Sequence, residues 1–293
     1  MDGVIVVDKP EGWTSHDVVA KARRIVKTKR IGHLGTLDPI ATGVLPLVVG
    51  RATRLAQFYT RSDKVYEGVA RFGWSTDSYD RTGAPTSSQT EPSIDASGLE
   101  AQLERFRGEF NQTPPPVSAK KVSGRRAYEL ARQSVAVELE PVPVHVYELT
   151  VLEIEGPRVR LRAHCSGGTY IRSIVHELGQ AMGCGAHVEQ LRRLSSGEFG
   201  IEQARTIAQL ESLAADERLV DALVPAGQLL PGFPSVYVDD SVAAQIRHGR
   251  NFPASPFRSS GASRYVKAVT RHGELVAIGE AVLPNLYHPA VVL

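Results

Sequence analysis

The residue best suited to chemistry is Asp38, in the string Gly32-His33-Leu34-Gly35-Thr36-Leu37-Asp38-Pro39-Ile40-Ala41-Thr42-Gly43-Val44-Leu45-Pro46. Pro39 pushes Asp38 out of the helical region into extended backbone. Three glycines let another backbone or a ligand come close. A carboxylate on a rigid loop between apolar flanks suits nucleophilic work. An Asp-Pro turn is the plain alternative, and it explains the dipeptide but not the whole string. Metal chemistry is a rival, because His164-Cys165 and Cys184-x-x-His187 supply two Cys and two His. Their spacing fits no zinc motif, so no metal is expected. Residues 21–30 hold Lys21, Arg23, Arg24, Lys27, Lys29 and Arg30 with no acid among them. A second basic cluster is Lys120, Lys121, Arg125, Arg126 and Arg132, relieved only by Glu129. Each run alone reads as a solvated helix face. Separated basic patches on a chain of net charge +2 suit a polyanion held along chosen surfaces.

These residues need elements to hold them. Residues 4–7 read as a buried strand, and Lys9-Pro10-Glu11-Gly12 as a turn. Thr14 and Asp17 have capping-box spacing, and Val18, Val19, Ala22, Ile25 and Val26 recur at helical period behind them. Residues 31–46 read as irregular, 47–49 as a strand and 51–60 as a short helix. From 64 to 74, Val65, Glu67, Val69 and Arg71 alternate with Tyr66, Gly68, Ala70 and Phe72, which is a strand signal. Residues 76–98, rich in Ser, Thr, Asp and Pro, read as surface loop, and Leu99, Leu103 and Phe106 mark an amphipathic helix. Residues 142–165 read as strands, and Gly167-Gly168 breaks into a helix carrying Tyr170, Ile174, Leu178 and Met182. The Pro- and Gly-rich stretch 225–234 reads as a domain boundary before a small tail. In the tail a helix from Ser241 ends at Gly249, and His272-Gly273 suits a two-residue hairpin turn.

The 293 residues are 42% hydrophobic and 23% charged, enough for a substantial core and unlike a disordered chain. No apolar stretch approaches the roughly 20 residues that span a bilayer. Two cysteines and a start without a basic n-region predict a reducing, cytoplasmic setting.

The Asp38 string resembles the catalytic motif of the tRNA pseudouridine-55 synthase family, usually Gly-His-Thr-Gly-(Ala/Thr)-Leu-Asp-Pro-x-Ala-Thr-Gly, with Leu34 standing for the usual Thr. Three more segments agree, in order, over residues 4–197. Asp8-Lys9-Pro10-Glu11-Gly12-Trp13-Thr14-Ser15 is similar to its N-terminal motif, and Lys64-Val65-Tyr66 to its tyrosine motif. Cys165-Ser166-Gly167-Gly168-Thr169-Tyr170-Ile171-Arg172-Ser173 is similar to its arginine motif.

The resemblance implies isomerisation of uridine to pseudouridine in the TΨC loop of tRNA. Asp38 would attack either the sugar C1′ or the base. Tyr66 would stack on the flipped base and could help in proton transfer, and Arg172 would pair with Asp38. His33 would help open the RNA loop, Leu194 would pack against the base, and Lys9 and Tyr170 would join them in binding substrate. No cofactor is expected, since the reaction has no net redox change or hydrolysis. The implied fold is α/β (α+β), a pseudouridine synthase fold with a mixed, largely antiparallel central sheet over residues 1–230. A β-rich, PUA-like RNA-binding domain would follow over 232–293. Residues 117–136 look like a basic thumb segment that grips tRNA phosphates. The expected partner is the tRNA TΨC arm, bound by a monomer with no membrane and no obligatory protein partner. A guide-RNA-dependent relative of the dyskerin type and a tRNA-folding chaperone are the alternatives. The basic thumb and the absence of long lysine-rich tails disfavour the first, and the Asp38, Tyr66 and Arg172 set disfavours the second.

Overall fold

The computed structural model describes residues 1–117, 121–122, 125–126, 139–254 and 263–293. The thumb segment expected at 117–136 falls almost wholly outside the described residues. The first strands are β1 (Gly3–Lys9), β2 (Ile31–His33), β3 (Ala41–Val49), β4 (Lys64–Phe72) and β5 (Gly108–Gln112). Two-residue strands β6 (Lys121–Val122) and β7 (Arg125–Arg126) pair only with each other. Next come β8 (Val142–Glu155), β9 (Arg158–Cys165), β10 (Ala186–Ser196), β11 (Phe199–Gly200) and β12 (Leu223–Pro225). The large sheet runs β12-β1-β3-β10-β4-β9-β8-β5, with β2 beside β3 and β11 beside β10. Only the β3–β10 contact is parallel, so the expected mixed, largely antiparallel sheet is present. Helices α1 (Ser15–Val26), α2 (Ala96–Leu103), α3 (Ile171–Ala181) and α4 (Ile207–Ala215) cover one face. In the capping box at α1, Thr14 Oγ1 accepts from the Asp17 N–H, and Asp17 accepts from the Thr14 N–H.

The run Val4-Ile5-Val6-Val7 is apolar throughout because β1 is buried on both faces. Ile5 and Val7 enter the core beneath the helices with Val18, Ile25 and Leu210. Val4 and Val6 point the other way, into a second core with Val269, Leu275, Ile278, Val291 and Leu293 of the tail. That tail is a five-stranded sheet ordered β13-β15-β16-β17-β14, made of Ser235–Val238, Tyr265–Thr270, Leu275–Leu283, Leu286–Val292 and Phe252–Pro253, with α5 (Asp240–Arg247) against it. A polar knot fastens it, with Tyr59 and Leu230 buried and Glu198 reaching in from the surface. The Tyr59 hydroxyl donates to Glu198 Oε1 at 2.8 Å, and the Leu230 N–H donates to the same oxygen at 3.0 Å. Tyr59→Phe leaves that carboxylate short of a donor. It is expected to cost about 1–2 kcal/mol in a urea-unfolding measurement, with the fold retained.

Four local readings change. Residues 41–46 belong to β3 rather than to an irregular stretch. Pro46 is tolerated there because β10 pairs with residues 41–43 and β2 with 47–49, leaving no ladder partner opposite its missing N–H. The helix at 51–60 is a 3₁₀ helix, Gly50–Tyr59. The tail hairpin has three loop residues, not two. Thr270 donates to the Glu274 carbonyl at 2.9 Å, and Gly273 takes the left-handed position at φ +81°. Finally, the stretch read as surface loop buries Thr76, Ser78 and Asp80.

Candidate active site

The loop from Gly35 to Pro39 is fixed from several sides before any ligand arrives. Arg193 of β10 is fully buried, and its guanidinium donates to three backbone carbonyls. Nε donates to Val44 at 2.7 Å, Nη2 to Gly35 at 3.1 Å and Nη1 to Thr36 at 3.3 Å. Ser15 Oγ, at the start of α1, donates to the Leu37 carbonyl at 3.1 Å and accepts from the Leu37 N–H at 2.9 Å. The Gly12 N–H donates to the Pro39 carbonyl at 2.8 Å. Gly43 lets β3 and β10 meet. Its φ is +96°, and a Cβ there would stand 2.2 Å from the Arg193 carbonyl oxygen.

Arg172 enters from the first turn of α3. Its Nε donates to Asp38 Oδ2 at 2.8 Å. Nη1 donates to the Ser78 carbonyl at 2.8 Å and lies 3.7 Å from Asp80 Oδ2, while Nη2 donates to the Val117 carbonyl at 2.9 Å. The guanidinium is thus shared by two carboxylates of unequal exposure. Asp38 has a third of its side chain open to solvent, and Asp80 is buried. Asp80 accepts from Ser78 Oγ at 2.9 Å, the Thr82 N–H at 2.9 Å and Thr82 Oγ1 at 2.6 Å. Tyr79, held at φ +64°, stacks on His176 of α3 at 3.7 Å between ring centroids, closing this turn over the helix. Gln112 of β5 fixes the start of α3 by accepting from the Tyr170 N–H at 2.8 Å and donating to its carbonyl at 3.0 Å.

Asp38, Tyr66, Tyr170, Arg172, Leu191 and Lys64 line one cavity of about 230 Å³. Tyr66 lies opposite Arg193 across the β4–β10 ladder, and burial raises its phenol above the ordinary tyrosine value. A larger hollow of about 640 Å³ lies elsewhere on the sheet, lined by arginines and glutamates. Several of these are already matched in pairs, such as Arg158 with Glu189 and Arg160 with Glu67. The smaller cavity joins an accessible carboxylate, Asp38, to an aromatic wall of Tyr66 and Tyr170.

Asp38, Tyr66, Arg172 and Tyr170 therefore come together as the sequence implies. Lys9 does not stand with them as a substrate ligand. It is fully buried, and Nζ donates to the carbonyls of Trp13 at 2.6 Å, Pro10 at 2.9 Å and Pro39 at 3.2 Å, so it braces the Asp38 loop from behind. Leu194 does not line the cavity, and Leu191 does. Alternation along β10 puts Leu191 and Arg193 on the cavity wall and turns Leu194 away from it. His33 lies on β2, edge-on to His16 at 5.6 Å, and does not line the cavity. Among the described residues no group of three His, Cys, Asp or Glu side chains converges to hold a metal. Ser78, Asp80, Arg193 and Lys64 carried no role in the sequence reading. Asp80-x-Thr82, an Asx-turn pattern, was the available signal for the first pair.

Burial lowers the Lys9 ammonium to about 8 from the ordinary 10.5. Between those two values the unfolded chain holds the extra proton, so this residue's contribution to stability rises with pH through that window. Lys9→Met removes the dependence. The stability of wild type relative to the variant is expected to increase from pH 8 to pH 10, followed by urea unfolding at each pH.

Residues 23–171 match the family model described as TruB family pseudouridylate synthase (N terminal domain). Residues 172–231 match that of the tRNA pseudouridylate synthase B C-terminal domain. The chain is 74% identical over 293 residues, the whole of both chains, to the tRNA pseudouridine synthase B of Solibacter usitatus (strain Ellin6076). It is 41% identical to the protein of the same name from Dechloromonas aromatica (strain RCB), over 96% of this chain and 91% of that one. Among solved structures, an H/ACA RNP bound to a substrate RNA containing 2′-deoxyuridine superposes with TM-score 0.71 at 30% identity, covering 96% of this chain and 78% of that one. A Cbf5-Nop10-Gar1 complex gives TM-score 0.71 at 31% identity, covering 97% and 79%.

Proposed function

Because the chain belongs to the TruB family of pseudouridylate synthases, we propose that it isomerises uridine to pseudouridine in the TΨC loop of tRNA, at position 55, through Asp38. The observation that carries this reading is the 2.8 Å pair of Arg172 with Asp38 on a cavity wall shared with Tyr66. The uridine leaves its stack to enter the cavity, where the Tyr66 ring supports its face. The C1′–N1 bond breaks, the base turns, and a C1′–C5 bond forms. The proton lost from C5 is balanced by one gained at N1, so no oxidant or hydrolytic water is consumed. Asp38 holds the electron-poor sugar or base during the turn, as glycosidase carboxylates hold an oxocarbenium-like centre. Leu191 packs against the base in the place first assigned to Leu194.

The tail, as a PUA-like module, and the basic segment at 117–136 grip the tRNA arm, so the protein acts as a monomer without guide RNA or protein partner. The full-length match to a protein named for tRNA supports this over the guide-dependent alternative, whose solved relatives extend beyond the region matched here. Incubating the purified protein with unmodified tRNA transcript and mapping pseudouridine by chemical labelling tests it. One modified uridine in the TΨC loop is expected. A requirement for added guide RNA would remove the stand-alone reading, and absence of product would remove the activity.

A further inference from the structure

The mechanism above leaves one buried cation in the cavity without a task. Lys64, the first residue of β4, lines the cavity with Asp38 and Tyr66 and is only 7% exposed. Its ammonium donates to the Ser62 carbonyl and forms no ion pair among the described residues. An ammonium has three N–H groups, so two remain for a ligand. Lys64 is also close to the buried guanidinium of Arg193. A Cβ added at Gly35 would lie 3.8 Å from Lys64 Cε and 3.7 Å from Arg193 Nη1. The charged side chains on or just behind this wall are Asp38 and Asp80 against Arg172, Arg193, Lys64 and the bracing Lys9. Asp63 is exposed, and its carboxylate accepts from the Tyr147 hydroxyl at 3.2 Å.

A buried cation beside another cation is unfavourable unless something negative joins it. Arg193 is explained by the carbonyls it serves. Lys64 serves one carbonyl, and a neutral side chain could serve it as well. The excess positive charge is complementary to what the reaction produces. When the C1′–N1 bond breaks, its electron pair passes into the uracil ring and spreads onto the exocyclic oxygens.

We propose that Lys64 is a catalytic residue whose ammonium donates a hydrogen bond to an exocyclic oxygen of uracil as that charge develops, keeping its own proton throughout. This is the oxyanion-type stabilisation that preformed donors supply in a water-poor site. The depth of Lys64 favours the base over a phosphate, because the nucleotide's phosphates stay at the mouth while the ring goes in.

The proton on Lys64 is held less firmly than on an exposed lysine. Burial, then Arg193, lowers it to about 8, with Cys165 and Asp63 acting in the opposite sense. Asp38, Tyr66 and Tyr170 share this wall with Arg172 and Arg193, and Lys9, which burial also lowers to about 8, stands behind the Asp38 loop. The wild-type rate is therefore expected to fall as pH rises through about 8.

The inference rests on the proposed activity and is tested by single-turnover rates and tRNA affinities measured separately. Lys64→Met should cut the single-turnover rate on the order of 100-fold, the size of a lost oxyanion donor. Its tRNA affinity should stay within about threefold, since no phosphate contact is removed. Lys64→Arg should recover much of the rate, and made in a Lys9→Met background, where no second lysine titrates near 8, it should abolish the decline above pH 8. A Lys64→Met rate equal to wild type overturns this inference alone, whereas wild type without product overturns the activity beneath it. A weakened affinity with an unchanged rate would make Lys64 a phosphate contact and also overturn it. Should Lys64→Met fail to fold, an alkaline decline that persists unshifted in Lys64→Arg made in the Lys9→Met background overturns it equally.

Discussion

Asp38→Asn should leave a well-folded protein that binds tRNA normally and forms no measurable pseudouridine, with a rate loss on the order of 10⁴-fold or more. The amide keeps the shape of the carboxylate and one oxygen to accept from Arg172 Nε, so the loop held by Arg193, Ser15 and Gly12 has no reason to move. Arg172 retains the Ser78 and Val117 carbonyls and Asp80. What disappears is the charge that meets the electron-poor reacting centre. Because Asp38 is partly open to solvent, the cost in stability should stay below about 1 kcal/mol. Single-turnover assays with filter-binding controls read both quantities, and near-normal turnover in the variant would remove Asp38 from the reaction.

Arg172→Met is expected to damage fold and activity together. The guanidinium is 3% exposed, and it is the cation beside the buried Asp80. Removing it leaves that carboxylate uncompensated and two carbonyls without a donor. The expected loss is about 3–5 kcal/mol of stability, with activity falling by a factor on the order of 10³ or more. The two effects can be separated. Adding Asp80→Asn to Arg172→Met removes the stranded charge, so stability should largely return in urea unfolding while activity stays lost. Activity that returned with stability would make Arg172 a purely structural residue.

The legible part of this site was the part written in contiguous motifs. Asp38 is flanked by Pro39 and glycines, and Tyr66 and Arg172 each stand in a short string that resembles a known one. The alternation that marked β4 put Tyr66 and Lys64 on one face, yet nothing local distinguishes a lysine lining a cavity from one in solvent. Lys9 shows the same limit from the other side. A lysine in a Lys-Pro-x-Gly turn reads as an exposed ligand, but the chain folds Trp13 and Pro39 around it. Asp80 was hidden by composition, because a Ser-, Thr- and Asp-rich stretch reads as wet loop unless its carbonyls and carboxylate are known to face a guanidinium 92 residues away in sequence. Leu194 was carried over from the resemblance within Leu191-Arg192-Arg193-Leu194, a string with a leucine at each end, and which of the two faces the cavity depends on how β10 sits in the sheet.

Val4 and Val6 have a consequence of a different kind. They lie on the strand that borders β3, the strand leading out of the reacting loop, and they are sealed by Val269, Ile278 and Leu293 rather than by a helix. The tail is thus a lid screwed onto the back of the catalytic sheet, not a hand on a flexible wrist. RNA held by one end of the molecule is thereby held in a fixed orientation to the other, and reach between the two is set by geometry rather than by a tether.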